Sequence, residues 1–144
     1  MPKVRDILLS KGFDIVTAQS EMTIADCAKL LKAKSIGAVV VSDEGVKVQG
    51  IISERDIVRA FASNPEDILS LKVSDIMTKN VTSCSADHDI EHVMRMMTDY
   101  KIRHVPVMSE NRLIGVISIG DVVKYRIDTL EKERKELYEY IGAR

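Results

Sequence analysis

The chain has 144 residues, 45% hydrophobic and 30% charged, with a formal net charge of -1 from 21 basic and 22 acidic side chains. That balance excludes the surplus of Lys and Arg that non-specific nucleic-acid binding needs. With no Trp, four Tyr and two Phe, little is left for stacking single-stranded bases, and no nucleic-acid partner is expected.

No run approaches the roughly 20 apolar residues of a membrane span, so no membrane segment is expected. Met1 to Leu9 carries Lys3, Arg5 and Asp6 without a long apolar core, unlike a secretory signal. Cys27 and Cys84 lie in different halves. A reduced, cytoplasmic setting is the expectation, with both thiols behaving as small hydrophobes.

Taken in order, the elements come twice. Val4-Arg5-Asp6-Ile7-Leu8 is answered by Val73-Ser74-Asp75-Ile76-Met77. Each is followed by a short apolar step predicted as a strand, Ile15-Val16-Thr17 and Asn80-Val81-Thr82. Ile24, Cys27, Ala28, Leu30 and Leu31 then recur at helical spacing, as do Ile90, Val93, Met94, Met96 and Met97. The clustered methionines read as core filling.

Both halves then turn to β-type sequence. Ile36-Gly37-Ala38-Val39-Val40-Val41 matches Ile102-Arg103-His104-Val105-Pro106-Val107, and a polar turn follows each. A second strand ends in Gly50-Ile51-Ile52-Ser53 or Gly115-Val116-Ile117-Ser118, and a helix opens at Asp56 or Asp121. The short loops predict hairpins. The order is strand, helix, strand, strand, helix in each half, an α+β fold.

A unit this small buries too little core alone, so the two copies are expected to pack with pseudo-twofold symmetry and to form two clefts at their interface. The division reads as repeat 1 over residues 1–63, a linker over 64–72, repeat 2 over 73–127 and a helical extension over 128–144. Along the terminal helix that runs on from repeat 2, Ile127, Leu130, Leu137 and Ile141 lie at heptad spacing with Arg134 on the same stripe. The stripe fits either a dimer contact or a helix folded back on its own core.

The repeated polar feature is Ser-x-x-Asp after a strand, Ser53-Glu54-Arg55-Asp56 and Ser118-Ile119-Gly120-Asp121. Such a motif before an apolar run can simply cap a helix. Here it uses Asp where a capping box prefers Glu or Gln, it follows Gly-apolar-Ile twice, and it falls at the mouth of the expected clefts. A carboxylate there could accept hydrogen bonds from both hydroxyls of a ribose, and the adjacent helix N-terminus favours a phosphate. Cys84, His88 and His92 are spaced by four, but a tight metal site needs three or four ligands with defined geometry, and the simple reading is exposed His at a helix start.

At this point the chain resembles a known family. Gly50-Ile51-Ile52-Ser53-Glu54-Arg55-Asp56 and Gly115-Val116-Ile117-Ser118-Ile119-Gly120-Asp121 are similar to the ribose-binding signature of CBS domains, and Ile102-Arg103-His104-Val105-Pro106-Val107 to their second strand. The resemblance covers nearly the whole chain and is closest to stand-alone bacterial proteins made of a tandem CBS pair, or Bateman module. It implies a regulatory sensor of AMP, ADP, ATP or NAD, with S-adenosylmethionine ranked behind them, forming a homodimer and acting on an unidentified partner protein. No catalytic residue, metal or catalytic cofactor is expected.

The resemblance also implies two sites. One joins Ser53 and Asp56 to Thr82, Arg103 and His104, with Asp56 on the ribose, Thr82 beside the adenine, the two basic residues on the phosphate, and Arg55 as a further phosphate contact. The other joins Ser118 and Asp121 to Thr17, Gly37 and Ala38. There the basic pair is replaced by Gly37 and Ala38, so the Asp56 cleft is expected to bind nucleotides more strongly. Two other functions stand beside the sensor: a nucleotide-metabolism enzyme using His104 as its base, and a structural interaction module in which the Asp residues are only caps.

Overall fold

The computed structural model describes residues 1–142. Helix α1 (Val4–Lys11) opens the chain, followed by strand β1 (Thr17–Ala18), helix α2 (Ile24–Lys34), and the hairpin of β2 (Ala38–Val41) and β3 (Gly50–Ser53). Helix α3 (Glu54–Ser63) closes the first half. A 3-10 turn at Ile68–Ser70 leads to the second half: α4 (Val73–Ile76), β4 (Cys84–Ser85), α5 (Ile90–Tyr100), β5 (His104–Ser109), β6 (Arg112–Ser118) and α6 (Ile119–Gly142).

Two three-stranded sheets result, ordered β1-β2-β3 and β4-β5-β6. In each, the first strand runs parallel to the second, and the second pairs antiparallel with the third. The hairpin turn of the second half, Glu110 and Asn111, has positive φ at both residues (49° and 63°). Two consecutive left-handed residues match the twist of the flanking strands.

The α+β reading and the repeat hold, but one detail differs from the sequence expectation. The first strand of the second half is Cys84–Ser85, not Asn80 to Thr82. Val41 faces Gly50 and Val107 faces Gly115, while Ala18 pairs with Val41 and Cys84 with Val107. Ser83, rather than Thr82, is therefore the counterpart of Thr17. An apolar step in the sequence marked the approach to the strand, whereas backbone pairing fixes the strand itself.

The packing adds a relationship that the sequence left open. The opening motifs are short helices, and each is exchanged. Val4, Ile7 and Leu8 of α1 lie in one core with Cys84, Ile90, Val93, Val105, Val107 and Ile117 of the second half. Val73 of α4 lies in the other core, with Ala18, Ile24, Cys27, Val39, Val41 and Ile52 of the first half, and Ile76 and Met77 pack against it. Backbone bonds repeat the exchange: Val4 donates to the His88 carbonyl at 2.9 Å, and Val73 to the Met22 carbonyl at 2.8 Å. Both cysteines are buried free thiols, and burial pushes Cys84 up to about 12.

No described helix is long and apolar enough to cross a membrane. Helix α6 runs for 24 residues, about 36 Å at 1.5 Å per residue. Its stripe does not fold back on the core: Ile127, Leu130, Leu137 and Ile141 are all exposed.

Candidate functional site

Each half ends a strand at Ser and starts a helix there. Ser53 accepts from the Asp56 N–H at 3.2 Å, and Asp56 Oδ2 accepts from the Ser53 N–H at 2.8 Å and from its hydroxyl at 3.0 Å. Ser118 accepts from the Asp121 N–H at 3.1 Å, and Asp121 Oδ2 accepts from the Ser118 N–H at 2.9 Å. The capping role is thus realised twice. It leaves chemistry to spare, because the bonds each carboxylate accepts all fall on Oδ2. Among the described residues no donor engages Oδ1 of either aspartate, and an ionised carboxylate has about four acceptor positions.

The exchange of α1 decides what surrounds Asp121. Because α1 packs on β6 and α6, its last residue reaches across the halves. Lys11 Nζ donates to Asp121 Oδ2 at 2.7 Å and to the Val116 carbonyl at 2.8 Å. Burial alone would raise the Asp121 carboxyl, but the Lys11 ammonium and the Ser118 N–H outweigh it and hold it below the ordinary carboxylate value.

A cleft of about 380 Å³ opens over this carboxylate. Its walls include Ile15, Val16, Gly37, Ala38, Ile51, Val116, Ser118 and Asp121. The titratable side chains lining it are Lys11, Asp14, His104 and Asp121. Thr17 follows the Ile15 and Val16 wall directly and is half-buried. The structure therefore gathers Ser118, Asp121, Gly37 and Ala38 around one cavity.

His104 joins them, which changes the expected division of basic groups. The sequence placed it with Asp56; the structure puts it on the wall of the Asp121 cleft. The reason lies where the equivalent strands begin. A Cβ built on Gly37 would stand 3.9 Å from His104 Cε1, so the two starts meet. Burial lowers the His104 pKa, Asp121 opposes that, and Lys11 reinforces it, so the imidazole is neutral near pH 7.

Asp56 and Ser53 are half-buried, Thr82 is half-buried in the loop before β4, and Arg55 and Arg103 are exposed. The Arg103 carbonyl accepts from the Ile119 N–H at 2.8 Å, just as the Gly37 carbonyl accepts from the Glu54 N–H at 2.9 Å. Gly37 is thus the counterpart of Arg103, as the repeat implied.

Lys11 is the site residue that sequence reasoning missed. The available signal was a length difference: the path from Val4 to Thr17 is three residues longer than that from Val73 to Ser83. The surplus forms the second turn of α1, which α4 lacks. Of the metal candidates, His88 Nδ1 accepts from the Ser85 N–H at 3.0 Å, and among the described residues no group of three or more possible ligands gathers.

Comparison with known proteins agrees with this architecture. A family model described as CBS domain matches residues 4–63 and again 73–128. A CBS domain-containing protein of Arabidopsis thaliana, CBSX3, mitochondrial, is 32% identical over 146 residues, covering 96% of this chain and 71% of its own length. Among solved structures, a CBS-domain containing protein from Agrobacterium tumefaciens is similar with a TM-score of 0.83 and 47% identity, over 86% of this chain and 98% of that one. The CBS domain pair of protein MJ0100, in complex with 5'-methylthioadenosine and S-adenosyl-L-methionine, has a TM-score of 0.75 and 33% identity, over 85% of this chain and 98% of that one.

Proposed function

The chain belongs to the CBS-domain family, and on that premise we propose that it is a regulatory module binding an adenosine-containing ligand in the cleft between its repeats. The observation that carries this reading is the Asp121 carboxylate, held by its cap and by Lys11 on the lining of a cavity, with Oδ1 unengaged among the described residues. A ribose hydroxyl is the donor such an oxygen accepts. The adenosine-bearing ligands of the MJ0100 pair support the nucleoside part of the proposal.

In this reading Asp121 and Ser118 hold the ribose, the backbone around Thr17, Gly37 and Ala38 lines the adenine, and His104 faces the 5' substituent. AMP, ADP, ATP and NAD are the candidate ligands, with S-adenosylmethionine beside them. A second cleft uses Asp56 and Ser53, with Thr82, Arg55 and Arg103. The module has no catalytic role. It works as a homodimer in a reducing, cytoplasmic setting and passes its ligand state to a partner protein.

Thermal unfolding with each ligand at millimolar concentration tests the proposal. A ligand that binds only the folded chain raises its melting temperature by mass action. No shift with any of them would leave the aspartates as caps and the chain as a structural module. Ligand turnover that is lost in His104→Ala would make it an enzyme instead.

A further inference from the structure

The two halves carry the same acid but treat it differently. Among the described residues, Asp56 has only its own Ser53 as partner and no cation pairs with it. Asp121 is also bound by Lys11, from the turn of α1 that has no counterpart in α4. Among the described residues the Lys11 ammonium is the one unambiguous cation lining the cleft, and it is committed to Asp121 and to the Val116 carbonyl.

That commitment has opposite consequences for two kinds of ligand. A ribose diol bound through both carboxylate oxygens has to share Oδ2 with the ammonium or displace it. An uncharged nucleoside offers the displaced ammonium no new partner. A ligand with a 5'-phosphate does, and otherwise its charge would face Asp14 and a neutral His104. The Lys11 side chain is about one-third exposed (35%), and its flexible four-carbon stem permits the move.

We propose, on the footing of the adenosine-binding reading above, that Lys11 is the specificity-determining residue of the Asp121 cleft. It competes with the ribose for the carboxylate and, once displaced, supplies the cation for an anionic 5' group. The cleft thereby favours phosphorylated adenosines over adenosine itself.

Calorimetric titration of the full chain with adenosine and with AMP tests this, comparing wild type with Lys11→Met and Lys11→Arg. Each titration is repeated with Asp56→Asn to separate the other half. Lys11→Met should bind adenosine more tightly and AMP more weakly. The AMP-to-adenosine preference should fall by about tenfold, the scale of one charge-assisted hydrogen bond. Lys11→Arg should retain most of the preference. Wild type that binds no adenosine, while Lys11→Met does, would also support the competition. An unchanged preference in Lys11→Met, or equal weakening of both ligands, would overturn the proposal and leave the adenosine-binding reading intact. If neither protein binds either ligand, this proposal fails, and the adenosine-binding reading is decided by the thermal shifts with the other ligands.

Discussion

The carbonyl oxygen of Thr78 lies 2.8 Å from where a Cβ on Gly50 would stand. The contact is made as β3 approaches the segment after α4, where Ile51 and Thr78 exchange backbone hydrogen bonds of 3.0 and 2.9 Å. Met77 presses on the same point, with its sulfur 2.6 Å from the missing Cβ. At the equivalent Gly115 the three nearest atoms all belong to the Leu8 side chain, whose Cδ2 would be 2.6 Å away. A side chain can shift where a bonded backbone cannot.

Gly50→Ala should therefore destabilise the fold by about 1–3 kcal/mol, the range for overpacking a filled interior, and by more than Gly115→Ala. Urea unfolding of the two variants measures both costs. Equal midpoints would contradict the distinction between backbone and side-chain neighbours.

Asp121→Asn should weaken binding of adenosine ligands in the cleft by roughly tenfold, since it removes the charge that a hydroxyl donor sees. Asp56→Asn should have a smaller effect, because the Asp121 cleft also holds His104. The sequence alone led to the opposite order. Calorimetry on the two single variants decides, and a larger loss at Asp56 would return the main site to the other half.

Acid should weaken the fold in a window set by His104. Its pKa is lowered from 6.5 by burial, so the unfolded chain takes up this proton at a higher pH than the folded one. The stability tied to the neutral ring is complete above the unfolded value and is lost as pH falls through the lower folded value. Asp121, also lowered, loses its share only further down, as pH falls from 3.8 through its folded value. Urea midpoints between pH 7.5 and 5 should thus decline in the wild type and flatten in His104→Gln. Identical slopes would remove His104 as the cause.

Val58 on α3 and Val123 on α6 occupy equivalent places and are both exposed, at 67% and 49%. Apolar residues standing out on both terminal helices fit a homodimer built through these faces. Native mass spectrometry should give twice the chain mass for the wild type and the single-chain mass for Val58→Glu combined with Val123→Glu. A dimer that survives both charges would place the interface elsewhere.

The duplication was legible because each repeat writes its own local pattern: Gly50-Ile51-Ile52-Ser53 and Gly115-Val116-Ile117-Ser118 signal a strand end and a helix start without reference to anything distant. The Ser-x-x-Asp pairs were legible for the same reason. The exchange of α1 and α4 was not, since the spacing of Val4, Ile7 and Leu8 shows an apolar face but not which core receives it. Lys11 was hidden behind that exchange. It reaches Asp121 only because α1 crosses to the second half. His104 was assigned by repeat matching, which compares positions along the chain and does not register that two strand starts touch.

The crossed helices also say what the segment between the repeats is for. Ser63 to Asp67 is exposed throughout, whereas beyond it Ile68 enters the first-half core and Leu71 packs against it. Neither half owns all of its interior, so the two are obligate partners that happen to share one polypeptide. The exposed stretch then contributes proximity, keeping each half at high effective concentration for the other, while Ile68 and Leu71 belong to the architecture itself. A proteolytic nick at Asn64 to Glu66 should leave two fragments that travel together through gel filtration and separate only when the fold is denatured.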